Sequence, residues 1–202
     1  MRVCLTLTEN MLGTVSADPE LYENFIMSKR PEGVEESVED LPSVEEEVRQ
    51  NTTVFLREDG RPYIYDYMVK GFFKSACGYL RRIKEVKEDG VVVQKATLSS
   101  KVTAFKKIIN GLIFVHPRKL FLDLNGDLEI CERPLRAQTP QGERIALARS
   151  EVAKAGTKII CEIELLDIKL KPLIIEWLEY GKYGALGQWR NAGHGSFTYE
   201  IL

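Results

Sequence analysis

The spacing of apolar residues changes several times along this chain, and these changes constrain its fold more than any other feature. Residues 2–8 and 157–166 alternate between apolar and polar side chains, which predicts strands that bury one face. From Asp66 to about Val86, apolar residues instead recur every three or four positions, which predicts a long helix. The chain therefore combines half-buried strands with amphipathic helices.

Turn-forming residues divide the rest of the chain into short elements. Asp59-Gly60 and Asn125-Gly126 are dipeptides typical of tight hairpin turns, and residues 139–142 predict another turn. Ser99 or Ser100 is expected to cap a second helix. The other predicted elements are strands near residues 53–57, 63–65, 91–93, 112–115, 120–122, 128–137, 144–148 and 197–201, and helices opened by Asp18-Pro19 and by Pro172.

The composition is that of an ordinary globular protein, with 44% hydrophobic and 29% charged residues. No apolar run approaches the roughly 20 residues that a membrane-spanning helix needs, and the N-terminus lacks the apolar block of a signal peptide. The four cysteines and two histidines show no metal-ligand spacing. We therefore expect a cytoplasmic protein without membrane contact, metal or cofactor.

The formal net charge of −2 hides two opposed blocks of charge. Residues 31–50 hold eight acidic residues and one basic residue, and we expect them to form a flexible acidic segment. Residues 68–120 hold twelve basic and three acidic residues, mostly on the two predicted helices. A basic helix face of this size can neutralise several phosphates of a nucleic acid. The residues predicted to bind RNA on this face are Lys74, Arg81, Arg82, Lys106 and Lys107.

A glycine-rich loop before the last strand is the most specific motif of the sequence. Residues 184–195 contain four glycines in twelve positions. Glycines let the backbone approach a ligand closely and offer its N–H groups to phosphate oxygens. The guanidinium of Arg190 can bind a phosphate through paired N–H donors, and the ring of Trp189 offers an aromatic face for a base. The predicted RNA-binding residues of the loop are Gly187, Trp189, Arg190, Gly193, His194 and Gly195.

This loop resembles the C-terminal glycine-rich motif of the CRISPR-associated RAMP superfamily, a group of RNA-binding proteins built on ferredoxin-like domains. In that motif, a glycine region is followed by five residues that include a base and then by Gly-hydrophobic-Gly. Here Leu186-Gly187 precede residues 188–192, which include Arg190, and Gly193-His194-Gly195 follow. Ala185 stands where the family has its first glycine, and His194 fills a usually hydrophobic position.

The N-terminal Leu5-Thr6-Leu7-Thr8, followed by a loop with Gly13, is similar to the first strand and loop of the same superfamily. The resemblance implies an α+β fold, with a ferredoxin-like (RAMP/RRM-like) antiparallel sheet, packed helices and a β-hairpin insertion. The turn-rich residues 133–164 correspond to that insertion. Residues 1–202 would form a single RAMP-like domain or two ferredoxin-like halves.

The resemblance implies an RNA-binding protein that holds the backbone of single-stranded RNA with the loop and the basic helix face, without cutting it. Its partners would be RNA and the other protein subunits of an RNA-guided defence complex. One alternative is a metal-independent endoribonuclease of the repeat-processing type. Those enzymes often use a histidine near the N-terminus, but this chain has only His116 and His194, so no catalytic residue is assigned. Another alternative is a phage or bacterial anti-defence module that binds proteins through the acidic segment.

Overall fold

The computed structural model of the protein describes residues 1–17, 52–86, 92–139 and 142–202. The acidic segment 31–50 and the helix predicted at Asp18-Pro19 lie outside these residues. The strands are β1 (Arg2–Leu7), β2 (Met11–Leu12), β3 (Val15–Ser16), β4 (Thr52–Val54), β5 (Leu56–Glu58), β6 (Arg61–Tyr65), β7 (Lys84–Val86), β8 (Val92–Gln94), β9 (Ile113–His116), β10 (Lys119–Asp123), β11 (Glu129–Thr139), β12 (Gly142–Ala153), β13 (Lys158–Leu165) and β14 (Phe197–Ile201). The α-helices are α1 (Asp66–Leu80), α2 (Phe105–Leu112) and α3 (Lys171–Glu179).

The main sheet has β1 in its interior. Its strands lie in the order β14, β1, β13, β10, β6, β5, and β9 also pairs with β13. These neighbouring strands run antiparallel. Along the chain, β1, α1, the interrupted strand β9–β10, β13, α3 and β14 follow one another. This succession is the ferredoxin-like βαββαβ arrangement. The predicted α+β fold with an antiparallel sheet is therefore confirmed.

The helices cover one face of this sheet, and the alternating pattern of β13 explains why. Ile159, Cys161 and Ile163 are buried on that face, and the residues between them are exposed. Phe72 of α1 and Trp177 of α3 are buried in the same core. Burying one such large apolar side chain contributes roughly 1.5–3 kcal/mol. The strand with the clearest alternation thus contributes to the core in which α1 and α3 are buried.

A long hairpin is inserted between β10 and β13. Strands β11 and β12 pair over eleven positions, from Glu129 opposite Val152 to Thr139 opposite Gly142. Strand β12 also pairs with β2 and, in parallel, with β4, which brings β3 into the same second sheet. The predicted hairpin insertion is confirmed, but it spans residues 129–153, because residues 158–164 of the predicted range 133–164 belong to β13 of the main sheet. Residues 140–141 of its turn lie outside the described residues.

Three local predictions differ from the structure. Helix α1 ends at Leu80, because residues 84–86 pair with residues 92–94 instead of continuing the helix. Ser99 caps no α-helix: it opens a 3₁₀ turn, and α2 begins only at Phe105. Asn125-Gly126 joins no pair of neighbouring strands, since β10 pairs with β6 and β13. By contrast, the Asp59-Gly60 turn between β5 and β6 is confirmed, with φ of 51° and 77°.

Among the described residues, no helix is long and apolar enough to cross a membrane.

Candidate nucleic-acid interface

The glycine-rich loop connects α3 to β14 and is tied down at both ends. After a 3₁₀ turn at Tyr180–Lys182, the Leu186 N–H donates to the Gly195 carbonyl at 3.0 Å. The Gly195 N–H in turn donates to the Asn10 carbonyl at 2.8 Å, beyond the end of β1. Leu186 and Gly195 are buried. The loop therefore projects from a base that is fixed on the main sheet.

Two glycines of the motif are required by this packing. Gly195 has φ of +82°, and a Cβ there would stand 2.0 Å from the Leu186 carbonyl oxygen. Gly187 has φ of +80°, and its Cβ would stand 2.9 Å from the Leu12 carbonyl oxygen. No L side chain fits at either position without displacing the backbone. These glycines therefore let the loop lie against neighbouring protein atoms, and their predicted contact with a ligand stays a prediction.

Gln188 anchors the loop to the second sheet. Its Nε2 donates to the Gly13 carbonyl and, at 2.5 Å, to Thr53 Oγ1. Its Oε1 accepts from Arg133 Nη2 at 3.2 Å. Because Thr53 belongs to β4 and Arg133 to β11, one side chain joins the loop to two strands of that sheet. Sequence reasoning missed Gln188, since its partners are distant in the chain.

Trp189 is half-exposed and has two ring neighbours. Its backbone is left-handed, with φ of 55°. Its ring stacks on His194, with 4.8 Å between centroids, and the Arg133 guanidinium lies 4.7 Å from the ring centroid. The His194 Nδ1 lies 3.2 Å from the Asn10 carbonyl oxygen. The ring of Trp189 is therefore held by His194 and Arg133, and its stacking on a base stays a prediction.

Arg133 is a further residue that sequence reasoning missed. Its Nε and Nη1 are buried and have no hydrogen-bond acceptor among the described residues. A buried guanidinium with unused donors is costly unless an acceptor arrives. Nothing in the local sequence singles out Arg133, because its place beside Trp189 depends on how the inserted hairpin folds back over the loop.

A pocket of about 560 Å³ lies between the glycine-rich loop and α1. Tyr79 and Tyr183 are its most exposed rings, at 63% and 73%. Tyr180 lies between them, 6.3 Å from Tyr79 and 6.2 Å from Tyr183 by ring centroids. Burial and the neighbouring Tyr79 raise the pKa of Tyr180, so its phenol stays neutral. The pocket is lined by Phe72, Ser75, Tyr79, Tyr180, Tyr183, Gly184, Ala185, Gly187, Gln188, Trp189, Arg190 and Asn191.

The loop also presents donors to this pocket. Arg190 is exposed and lines it. The backbone N–H groups of Trp189, Arg190 and Asn191 have no acceptor within the described part of the chain. Successive N–H groups of this kind can bind the oxygens of an anion. The pocket thus combines aromatic rings, a guanidinium and backbone donors.

The predicted basic residues are divided between α1, the residues that follow it, and α2. Arg81 and Arg82 follow the end of α1 and, with Gly78, Ser100 and Phe105, line a second pocket of about 400 Å³. Gly78 is the sequence neighbour of Tyr79, so the two pockets flank the C-terminal half of α1. The remaining predicted basic residues are the half-buried Lys74 on α1 and the exposed Lys106 and Lys107 on α2.

The two histidines lie at opposite ends of β13. His116 is opposite Glu162, and its Nε2 lies 3.1 Å from Glu164 Oε2. His194 lies against Asn10, whose side chain accepts from the Ala155 N–H before β13 begins. The structure therefore does not bring them together as an acid–base pair. No group of three or more potential metal ligands occurs in the described ranges.

No protein-family model and no curated protein matches this sequence. Among solved structures, the chain is similar to a chain of the type III-B Cmr-beta complex bound to cognate target RNA, with 13% identity and a TM-score of 0.50. That match covers 99% of this chain but only 58% of the other. The chain is also similar to Cmr6 from Pyrococcus furiosus, with 9% identity and a TM-score of 0.50 over 99% of this chain and 97% of that one. The chain therefore shares its ferredoxin-like α+β fold with these two proteins.

Proposed function

We propose that this protein binds single-stranded RNA without cleaving it, as a subunit of an RNA-guided defence complex. The observation that carries the proposal is the pocket between the glycine-rich loop and α1, where exposed tyrosines lie beside Arg190 and unused backbone donors. Residues 1–202 would act as one RAMP-like domain. Its structural neighbour in the Cmr-beta complex is part of an assembly bound to target RNA, which supports the same ligand class here.

The aromatic part of the pocket suits bases that are not paired. Stacking of a base on an aromatic side chain contributes about 1–3 kcal/mol and tolerates any base. Tyr79 and Tyr183 expose more of their rings than Trp189 does, at 63%, 73% and 42%. We therefore assign base stacking first to the two tyrosines, with Trp189 and His194 as the supporting wall.

The charged part of the site suits the phosphate backbone. Arg190 is exposed and lines the pocket. Arg81 and Arg82 line the adjoining pocket on α1. Each cation that contacts a phosphate adds to the affinity and makes it depend on salt. Binding should therefore weaken as the salt concentration rises, for any base sequence.

Fluorescence anisotropy with a labelled twelve-nucleotide oligouridylate tests the proposal. Arg190→Ala and Tyr183→Ala should each raise Kd about tenfold, and Arg190→Ala should lower the salt slope by about one. Lys158→Ala is the matched control, because Lys158 is exposed on the sheet face away from the helices. Circular dichroism should give all variants the wild-type melting temperature. Unchanged Kd in both site variants would reject this site, and shortening of the RNA would reject the noncatalytic assignment.

A further inference from the structure

A second group of aromatic and cationic side chains lies at the N-terminal end of α1. Tyr65 and Tyr67 stack with 5.4 Å between centroids and 23° between ring planes. The Arg118 guanidinium lies 5.6 Å from the centroid of the Tyr65 ring. Tyr67 is 55% exposed, and the side chain of Arg118 is 71% exposed. This tyrosine–arginine cluster (Tyr65, Tyr67 and Arg118) is distant from the glycine-rich loop.

The backbone holds the cluster in place. Strand β6 runs directly into α1, so Tyr65 ends the strand and Tyr67 lies in the first turn of the helix, which begins at Asp66. The Asp66 N–H donates to the Arg118 carbonyl at 3.0 Å, and Arg118 Nη1 lies 3.2 Å from Asp66 Oδ1. Because the backbone and side chain of Arg118 are both tied to α1, its guanidinium stays beside the tyrosines.

Two more aromatic rings, on the neighbouring strands β6 and β10, each have a cation beside them. The Arg61 guanidinium lies 4.4 Å from the Phe121 ring centroid, and Lys119 Nζ lies 5.3 Å from that of Tyr63. Lys119 also forms an ion pair with Glu58. In grooves that bind single-stranded nucleic acid, aromatic rings stack on the bases and nearby cations contact the phosphates. The rings and cations of this surface offer the same two kinds of contact.

The face of α1 that carries Tyr67 leads towards Gly78, which lines the pocket of Arg81 and Arg82. Tyr79 follows about 100° further round the helix, in the glycine-loop pocket. Tyr67 and Tyr79 are twelve residues apart on the helix, a distance of about 18 Å along its axis. Gly71, Lys74 and Gly78 follow Tyr67 at helical spacing on that face, and none of them is buried. No atom of the described residues lies within 4 Å of the position that a Cβ would occupy on Gly71. This face therefore has no side chain at Gly71 or Gly78, and it carries the positive charge of Lys74.

We propose that Tyr67 and Arg118 form a second base-stacking site, and that one RNA strand runs over α1 from this site to the glycine-loop pocket. The path rests on the proposed function at its glycine-loop end, whereas the tyrosine–arginine cluster is an independent observation. A base stacks on Tyr67, Arg118 contacts a phosphate, and Lys74 contacts the backbone between the two ends. At about 3.4 Å per stacked nucleotide, about 18 Å takes about five nucleotides, within the range of about 4–16 that single-strand sites occupy.

The test measures binding of the labelled twelve-nucleotide oligouridylate to the full chain. Tyr67→Leu should raise Kd about tenfold, and Tyr67→Phe, which keeps the ring, should bind as wild type. Arg118→Gln should also weaken binding and lower its salt dependence, while Lys158→Ala leaves both unchanged. The exposed position of Tyr67 makes unfolding of the variants unexpected, and melting curves verify this. Wild-type affinity of Tyr67→Leu and Arg118→Gln would overturn the second site.

Stoichiometry and cross-linking test whether one RNA strand occupies both sites, which we call the common path. Native mass spectrometry should find one oligonucleotide per chain, and ultraviolet cross-linking should label the peptides of both Tyr67 and Tyr183. Two oligonucleotides per chain would overturn the common path. If Arg190→Ala and Tyr183→Ala bind normally while Tyr67→Leu does not, the glycine-loop proposal fails and the second site stands. If Tyr67→Leu binds normally while Arg190→Ala and Tyr183→Ala do not, only the second site is rejected.

Discussion

Trp189 stacks on His194, with 4.8 Å between the ring centroids and 17° between the ring planes. The imidazole is held in turn near the Asn10 carbonyl oxygen, so the pair is fixed to the end of β1. A histidine in this position supports an aromatic wall. It is not placed beside His116, which lies at the other end of β13.

Trp189 provides an optical test of binding. The protein has two tryptophans, of which Trp177 is fully buried and Trp189 is 42% exposed. Saturating oligouridylate should quench part of the tryptophan emission, because RNA would enter the pocket that Trp189 lines. Trp189→Phe should remove the quenching and leave the emission of Trp177. Equal quenching in Trp189→Phe would contradict the position of the RNA.

Two glycines of the loop should differ in their tolerance of alanine. Gly193→Ala should lose stability only through backbone strain, because residue 193 has a φ of +88° and the new Cβ would have no neighbour within 4 Å among the described residues. That substitution should lower the free energy of unfolding by about 1–2 kcal/mol. Gly195→Ala adds a clash with the Leu186 carbonyl oxygen and should cost about 2–5 kcal/mol in total. Urea unfolding followed by circular dichroism measures both losses, and equal losses would contradict the packing of the loop.

Ser99 should matter for stability, although it caps no α-helix. Its Oγ accepts from Trp177 Nε1 at 2.9 Å and donates to Glu176 Oε2. Ser99→Ala leaves the buried indole N–H without an acceptor and should cost about 1–3 kcal/mol. Ser100→Ala is the control, because its half-buried hydroxyl makes a local bond to the Thr97 carbonyl. The prediction fails if urea unfolding gives Ser100→Ala the larger loss.

The alkaline stability of the protein should depend on Cys161. Burial raises the pKa of this thiol from 9.0 to about 12. The folded state therefore keeps a proton that the unfolded state releases, and stability falls as pH rises from about 9 towards 12. Cys161→Ala should make this fall shallower, whereas Cys131→Ala, at a half-buried thiol, should not. Urea midpoints measured at several pH values check the difference, and parallel curves for wild type and Cys161→Ala would refute it.

Local patterns predicted the elements whose boundaries are marked by residues close to them in the sequence. The alternation of β13 and the boundaries of β14 follow from side-chain periodicity and turn residues alone. The end of α1 was mispredicted because Ile83 continues the apolar spacing, while residues 84–86 pair with a strand beyond the helix. The glycine-rich loop was located from sequence, but the bracing of Trp189 by Arg133 was not. That contact depends on a hairpin whose position no local pattern specifies.

The pairing of β1 with β14 has a consequence for how the chain is made. Val3 lies opposite Ile201, so β1 receives its outer neighbour from a strand that is synthesised after all the other described strands of the sheet. Until then the nascent chain carries an apolar strand with an open edge, which is prone to wrong pairings. Contacts this distant in sequence also slow folding. Assembly of this domain with any partner therefore has to wait until residues 197–201 have been synthesised.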